Sequence, residues 1–291
     1  MKKYPELTAM VRGVYDLQKL RMQSGLRLYA NFRAKLGMTA TSEEEDDEEA
    51  QKVLDLIKAS YDKICEGVAK NKTMPAERGF VGDAIISTYT ELILIDQYFE
   101  LYRDEQRQFR NLEKFLTGIP IWEQYLKDIV GVGPAMAGVI ITEFDIGKAK
   151  YPSSLWRYAG LDVDNSDGLG RSRRENHLIE HTYTDKNGVK KTRMGLSYNP
   201  FLKTKLTGVL AGSFLRTKSP WRKVYDEYHH RLETDPSREK VTKEEFKKRY
   251  AKDKTTMATT WRPGRINDAA KRYMMKMFLA ELYNKWRALE G

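Results

Sequence analysis

The sequence predicts a mostly α-helical protein that carries one small β-hairpin. The first observation is that apolar residues recur at spacings of three and four along four long stretches, at residues 5–37, 48–70, 80–117 and 266–291. The second is that strand-like alternation flanks a single Asn187-Gly188 dipeptide, which favours a tight hairpin turn. We therefore expect a helical N-terminal region, residues 1–90, followed by a helical C-terminal domain, residues 91–291.

The predicted N-terminal region contains two amphipathic helices and an acidic run between them. The first helix carries Leu7, Val11 and Val14 on its apolar face, and the second helix carries Val53 and Ile57. Seven consecutive carboxylates occupy residues 43–49 and fit a solvated linker, because a contiguous run does not turn its side chains toward one metal ion. A metal site and an acidic segment that shields a basic surface are the alternatives.

The stretch at residues 80–117 predicts one long helix. Its first half is apolar nearly all round, and its second half is charged, with Leu101, Phe109 and Leu112 continuing an apolar seam. Such a helix fits a helical arm or a coiled coil. A homo-oligomer formed through this helix and packing within one chain are equally compatible with the pattern.

A helix-hairpin-helix is predicted at the centre of the C-terminal domain. The segment IWEQYLKDIV predicts a helix that runs into a Gly-Val-Gly turn, and Pro134 suits the first position of the next helix. The positive end of that helix dipole lies behind the exposed amides of the turn. Because helix N-termini bind anions, we expect phosphate contacts from Gly131, Gly133 and Ala135. A plain turn between two helices is the alternative.

Further helices and the β-hairpin complete the predicted C-terminal domain. Tyr151-Pro152-Ser153 precedes the helical segment SLWRYAGL, and Asn199-Pro200 begins another helix. Another helix is expected near WRKVYDEYHHRLE, with a charged connection from there to Arg265 and a final helix whose methionines fill the core. We expect a basic face that extends the phosphate contact, formed by Lys190, Lys191, Arg193, Lys203 and Lys205.

The charge balance favours a polyanionic partner. The chain has 51 Lys and Arg against 41 Asp and Glu, a net charge of +10, and the excess of positive charge lies entirely beyond residue 100. A lysine-rich solvated surface without a partner is the alternative. The single cysteine, Cys65, fits a reducing compartment. No apolar run is long enough to span a bilayer and the N-terminus has no signal-peptide pattern, so we expect a cytoplasmic protein and no membrane partner.

Four motifs follow one another from about residue 95 to residue 290. They are the hairpin block GVGPAMAGVIITEFDIGKAKYPSSLWRYAGL, the segment GLSYNPFLK, the sequence WRKVYDEY and the basic helix AAKRYMMKMFL. In this order they resemble the C-terminal domain of the IS-one-ten / IS-one-sixteen insertion-sequence transposases. The resemblance implies a serine nucleophile in this domain, a guide RNA, and an N-terminal RuvC-like domain whose four carboxylates hold magnesium. Residues 1–90 depart from that pattern, because they show no strand ending in Asp.

The resemblance implies a catalytic serine at Ser166, with Ser172 as the second choice. A serine that attacks phosphate needs an activating base and cationic groups near the developing charge. No base is evident, although His177 and His181 would share one face of a strand. Cationic charge, and further DNA contacts, would come from Arg171, Arg173 and Arg174. A surface loop rich in Ser and Arg is the alternative. If the serine is catalytic, we expect Mg²⁺ as a cofactor. Otherwise we expect no cofactor. No residue is predicted to be a metal ligand.

These observations together predict a DNA-binding protein of transposase or recombinase ancestry, from a mobile genetic element or a phage. It would contact mainly the nucleic-acid backbone, while Trp156, Tyr158 and Tyr198 are candidates for stacking on unpaired bases. Core packing is the stronger expectation for Trp156. One alternative is an active serine-dependent transposase that acts with a divalent metal or a partner. The other is a module that binds structured RNA or another protein.

Overall fold

A computed structural model describes residues 4–37, 46–66 and 74–290, and it confirms the mostly α-helical class. The longer helices are α1 (Pro5–Lys35), α2 (Asp46–Glu66), α3 (Tyr89–Leu116), α5 (Pro134–Glu143), α9 (Trp221–Thr234), α10 (Lys243–Lys252) and α12 (Pro263–Glu290). The shorter ones are α4 (Pro120–Gln124), α6 (Pro152–Tyr158), α7 (Pro200–Thr204), α8 (Ala211–Arg216) and α11 (Thr256–Thr259). The strands are β1 (Leu178–Thr184), β2 (Lys190–Leu196), β3 (Glu239–Lys240) and β4 (Thr260–Trp261).

The chain divides into two compact units, with boundaries between residues 8 and 9 and between residues 114 and 115. The boundary expected from the sequence, between residues 90 and 91, stays a prediction. Residues 43–45 of the acidic run lie outside the described residues, so its roles as linker, metal site or shield also stay predictions. No helix within the described ranges is long and apolar enough to cross a membrane.

The unit of residues 9–114 is built from α1, α2 and α3 around one apolar cluster. Each helix contributes fully buried side chains, including Phe32 from α1, Ile57 from α2 and Ile95 from α3. The predicted residues Val53 and Ile57 of α2 belong to this cluster, and the predicted residues Val11 and Val14 of α1 are also buried. One carboxylate is buried in the same unit: Glu105, whose side chain is 2% exposed, forms an ion pair with Arg21.

Helix α3 begins later than predicted. The expected helix at residues 80–117 was wrong for residues 80–88, because the side chain of Asp83 accepts two backbone amides, at 2.8 and 2.7 Å, and holds a turn there. Thr88 and Glu91 then cap α3 reciprocally, each side chain accepting the other residue's amide at 3.2 Å. The capping sequence Ser-Thr-Tyr-Thr-Glu contained this signal.

Helix α12 forms the centre of the second unit. Its buried side chains include Met274, Met275, Phe278, Leu279 and Leu282, so methionine does fill the core there. The rings of Phe214 and Trp221 lie 5.4 and 5.5 Å from the ring of Phe278. The indole N–H of Trp156 donates to the carbonyl of Lys276 at 2.9 Å, which ties α6 to α12.

The predicted β-hairpin is confirmed, and a charged connection proved to be structured. Strands β1 and β2 pair antiparallel from Leu178 opposite Leu196 to Thr184 opposite Lys190. The stretch before Arg265, which was predicted only as a charged connection, contains α10, α11 and the parallel pair β3–β4. Its start is fixed locally, because the Thr242 hydroxyl accepts the amide of Glu245 at 3.2 Å and caps α10.

Candidate functional site

The helix-hairpin-helix forms a turn between two short helical elements and α5. The first element is less regular than predicted, since α4 ends at Gln124 and a single 3-10 turn, Leu126–Asp128, follows it. The chain then reverses at Gly131, whose φ of +98° favours glycine. Gly133 is the N-cap residue of α5, and Pro134 begins that helix as predicted.

The two glycines of the turn meet different surroundings. A Cβ atom on Gly131 would lie 2.8 Å from the ring of Phe214, so this glycine permits close packing against α8. The Ser213 hydroxyl donates to the Gly131 carbonyl at 2.9 Å and fixes the same contact. A Cβ atom on Gly133 would meet no atom within 4 Å, and Gly133 is exposed. Only Gly133 therefore leaves room for a ligand to approach the backbone.

The backbone amides of Gly131, Gly133 and Ala135 lie at or beside the N-terminus of α5. In the part of the chain that the structure describes, none of the three donates a hydrogen bond to another backbone group. Ala135 is 8% exposed, so the accessible part of this amide group is on the glycine side of the turn. Exposed Lys218 follows Thr217, the residue whose hydroxyl lies beside Gly131. The arrangement offers amide donors and one nearby cation to an anion.

Two of the predicted DNA-binding cations are engaged inside the protein. Arg171 pairs with Asp162 at 2.8 Å and with Asp164 at 3.0 Å, and its side chain is 13% exposed. Lys203 donates its ammonium group to the backbone carbonyl of Arg171. Burial and, to a smaller extent, the nearby positive charge of Arg272 together lower the pKa of Lys203 to about 8. Both cations therefore hold the loop of residues 162–177, and direct phosphate contact by them stays a prediction.

The remaining predicted cations lie on the surface or beside a cavity. Lys190, Lys191 and Arg193 are exposed on β2, and alternation along the strand places Lys191 and Arg193 on one face. Lys191 pairs with Asp185 at 2.8 Å. Arg173 is exposed, whereas Arg174 lines a cavity beside α12. Lys205 lies 5.5 Å from the ring of Phe201.

The two candidate serines differ in what they contact. The hydroxyl of Ser166 lies 2.7 Å from the carboxylate of Asp164 and accepts a hydrogen bond from Asn176 at 2.9 Å. The hydroxyl of Ser172 lies 3.3 Å from Nδ1 of His177, and Nε2 of His177 lies 2.9 Å from a carboxylate oxygen of Asp167. Ser172 thus has the histidine and carboxylate that a nucleophilic serine needs, and Ser166 does not.

The hydrogen bonds of His177 define its tautomer. The Ser172 backbone N–H donates to Nδ1 at 3.0 Å, so Nδ1 is an acceptor and Nε2 carries the proton donated to Asp167. Burial raises the pKa of Asp167, but hydrogen bonds from the Leu169 amide, His177 and Asn176 outweigh it and the net pKa is lowered. A carboxylate that stays ionised can stabilise the imidazolium that forms when His177 takes a proton.

His181 is not part of the contacts among Ser172, His177 and Asp167. Its Nε2 atom lies 3.0 Å from the carbonyl of Leu196, across the β-hairpin. The expectation that His177 and His181 share one strand face was wrong, because His177 belongs to the 3-10 turn Glu175–His177 that precedes β1. The five-residue spacing between Ser172 and His177 was the only sequence signal for the pair that the structure brings together.

A cationic cavity of about 300 Å³ lies against one side of α12, and the sequence analysis missed it. Its positively charged lining consists of Arg174, Arg262, Arg265, Arg272 and Lys276, and its one carboxylate is Asp268. Arg265, Asp268, Arg272 and Lys276 recur at spacings of three and four, so they form one stripe along the helix. This spacing of charged residues is visible in the sequence, but an exposed helix face that lines no cavity gives the same pattern.

The donor groups described here do not fit a magnesium site. Among the described residues, no group of three or more His, Cys, Asp or Glu side chains is arranged to hold a metal ion. Glu143, the last residue of α5, accepts a hydrogen bond from Asn199 at 2.7 Å.

Comparisons with models of protein families, with curated proteins and with solved structures find no match for this chain. The resemblance to insertion-sequence transposases thus rests on the four sequence motifs alone.

Proposed function

We propose that this protein binds nucleic acid through the phosphate backbone, using the helix-hairpin-helix turn. The observation that carries the proposal is the open, exposed backbone at Gly133, where α5 begins. Amides at a helix N-terminus donate hydrogen bonds to a phosphate without reading the bases. Lys218 beside the turn and the exposed cations of β2 would add non-specific affinity. Within this proposal, DNA is the expected partner and a mobile genetic element is the expected setting.

A Gly133→Glu variant tests the proposal cleanly. Its backbone angles, φ −95° and ψ 173°, suit any residue, and the open space around it accepts a side chain. The matched control is Gly13→Glu, which adds the same charge at another exposed glycine with no atom within 4 Å of a Cβ. Gly131→Glu is a poor test, because it would disturb packing against Phe214 whatever the turn binds.

Binding would be measured by fluorescence anisotropy on duplex DNA, single-stranded DNA and structured RNA across a salt series. We expect Gly133→Glu to weaken duplex binding by roughly tenfold and to reduce the salt slope by about 1, as for the loss of one phosphate contact. Equal curves for Gly133→Glu and Gly13→Glu would contradict the proposal. A preference for structured RNA, or no affinity for any nucleic acid, would favour the RNA-binding or protein-interaction module.

A serine-dependent strand transfer is the second candidate, and the contacts among Ser172, His177 and Asp167 favour it. In such a step the Ser172 backbone N–H releases Nδ1 of His177, and Ser172 Oγ then attacks a phosphodiester phosphorus while its proton passes to the freed Nδ1. The bond from phosphorus to the 3′ oxygen breaks, and the departing oxygen takes the proton from His177 and becomes a hydroxyl group. The same contacts also close the loop of residues 172–177, so the test must separate catalysis from folding.

The test compares Ser172→Ala with Ser166→Ala in a DNA strand-transfer and covalent-adduct assay. We expect only Ser172→Ala to abolish a protein–DNA adduct, with unchanged DNA affinity and thermal stability. Loss on Ser166→Ala alone would contradict this assignment and support the serine position implied by the transposase resemblance.

Formation of a homo-oligomer through α3 is also proposed, and light scattering on the wild-type protein would test it.

A further inference from the structure

We propose that the cationic cavity beside α12 binds a phosphate monoester group. The cavity is lined by five cationic side chains and a single carboxylate, that of Asp268. It lies apart from the hairpin turn, since none of the turn residues lines it. The proposal therefore does not depend on the proposed function, and either can fail alone.

In the part of the chain that the structure describes, Arg174 is the one cavity cation with an ion-pair partner, Asp167 at 3.6 Å, and the other four cations form no ion pair. Among the described residues, Arg262, Arg272 and Lys276 form no ion pair within 4 Å and their side chains donate no hydrogen bond to the protein. Atom Nη1 of Arg174 is buried without a hydrogen-bond partner, and the nearest carboxylate oxygen, on Asp167, is 3.6 Å away. Unpaired buried charge is unfavourable, and a bound anion would offset it.

Arg265 has a different role from the other four cations. One of its nitrogens, Nη1, donates to the backbone carbonyls of Met257, Ala258 and Thr260, at 3.0, 3.0 and 2.7 Å. Arg265 therefore shapes the cavity wall, while Arg262, Arg272 and Lys276 are left to contact a ligand. Gly170 lets Arg272 lie close to the backbone, because a Cβ atom there would be 2.9 Å from the guanidinium carbon.

The size and walls of the cavity favour a terminal phosphate group. A recess of about 300 Å³ is at the small end of ligand pockets, and the backbone of a duplex cannot enter it. A monoester brings up to two negative charges and three oxygens, which suit several guanidinium donors at once. The guanidinium carbons of Arg238 and Arg265 each lie 4.1 Å from the centre of the Trp261 ring. These cations engage the ring, so the walls favour phosphate recognition over base stacking.

Two sources supply this chemistry: a free phosphate or mononucleotide, and the 5′-phosphorylated end of a nucleic-acid strand. Isothermal titration calorimetry on the full chain would use inorganic phosphate, adenosine monophosphate and adenosine as probes. A short oligonucleotide with a 5′ phosphate would be compared with the same oligonucleotide ending in a 5′ hydroxyl. Tighter binding of the phosphorylated oligonucleotide than of both its 5′-hydroxyl counterpart and adenosine monophosphate would identify the strand end as the source. The reverse order would identify the free nucleotide.

Arg262→Gln and Lys276→Gln test the site, with Lys148→Gln as the matched control. Lys148 is 83% exposed and lies outside this cavity, so its substitution removes one positive charge elsewhere in the same unit. We expect phosphate and adenosine monophosphate to bind, adenosine not to bind, and each cavity variant to weaken phosphate binding at least about tenfold. Circular dichroism and the melting temperature without phosphate confirm that each variant is folded.

Three outcomes would overturn the proposal: no heat of binding for any phosphate probe, equal binding of adenosine and its monophosphate, or equal losses for Lys148→Gln and the cavity variants. The Gly133→Glu variant distinguishes failure of this proposal from failure of the proposed function. It should leave phosphate binding in the cavity unchanged while it weakens duplex binding.

Discussion

Replacing Lys203 by methionine should stabilise the protein at neutral pH. Burial lowers the pKa of Lys203 from its ordinary value of 10.5 to about 8. At about 1.4 kcal/mol per pH unit, this gap means that the charged side chain costs about 3 kcal/mol of folding free energy. The substitution also removes the hydrogen bond to the Arg171 carbonyl, worth about 1 kcal/mol. We expect a net gain of about 2 kcal/mol at pH 7.

The pH dependence of this effect has a defined sign. Below about pH 8 the ammonium group is protonated in both the folded and unfolded states, so the full cost is present. Between about pH 8 and 10.5 the folded state releases the proton first, and the wild-type protein gains stability as the pH rises. The advantage of Lys203→Met should therefore shrink by about 3 kcal/mol across this window.

Urea unfolding of the two proteins at a series of pH values measures the difference directly. Other groups that titrate in the window cancel, because both proteins carry them. Lys148→Met is the control for the loss of one lysine, since the Lys148 side chain is 83% exposed. A constant difference between wild type and Lys203→Met would refute the reasoning, because it would mean that Lys203 is not held charged against burial.

Three further predictions concern single side chains, each checked by urea or thermal unfolding. Gly131→Ala should destabilise by about 1–3 kcal/mol, because of the positive φ and the close contact there, while Gly133→Ala should change stability by less than about 0.5 kcal/mol. Arg21→Met should cost about 3 kcal/mol, because it leaves buried Glu105 without its cation; a loss below about 1 kcal/mol would contradict this. Burial raises the pKa of Glu91, but its hydrogen bonds lower it overall, so the contribution of this carboxylate is present above pH 4.5 and is lost as the pH falls through its folded value. Glu91→Gln should therefore be less stable than wild type at pH 7, and the difference should shrink as the pH falls below 4.5; a difference that stays constant would count against the ionic contribution.

The sequence predicted the elements whose signals are local. Long periodic stretches became α1, α2 and α12, and the Asn187-Gly188 turn became the β1–β2 hairpin. These signals suffice because apolar period and turn chemistry act within one element. The errors at residues 80–88 and before Arg265 have a different origin. There, side chains such as Asp83 and Thr242 bind the backbone locally and override a pattern read over a longer window.

The candidate sites were less predictable, because they are assembled from distant segments. The relation between Ser172 and His177 depends on the path of one loop, and Arg171 was read as a surface cation although two aspartates enclose it. The cavity brings Arg174 beside residues of α12 that lie far away in sequence. Charge counted along the chain could indicate a polyanionic partner. It could not distinguish a cation that pairs internally from one that is left without a partner.

Helix α12 links the stability of the fold to the proposed affinity for phosphate. Its core face, with Met274 and Phe278, is fully buried, so the helix and the cations on its other side are held in place before any ligand arrives. Preorganised charges bind an anion without a further entropic cost, but they repel one another in the empty protein. Replacing Arg272 by glutamine should therefore raise the melting temperature without phosphate and lower it, relative to wild type, at saturating phosphate. A crossing of the two melting curves is the signature of a ligand site, because a cation needed only for folding would lower stability under both conditions.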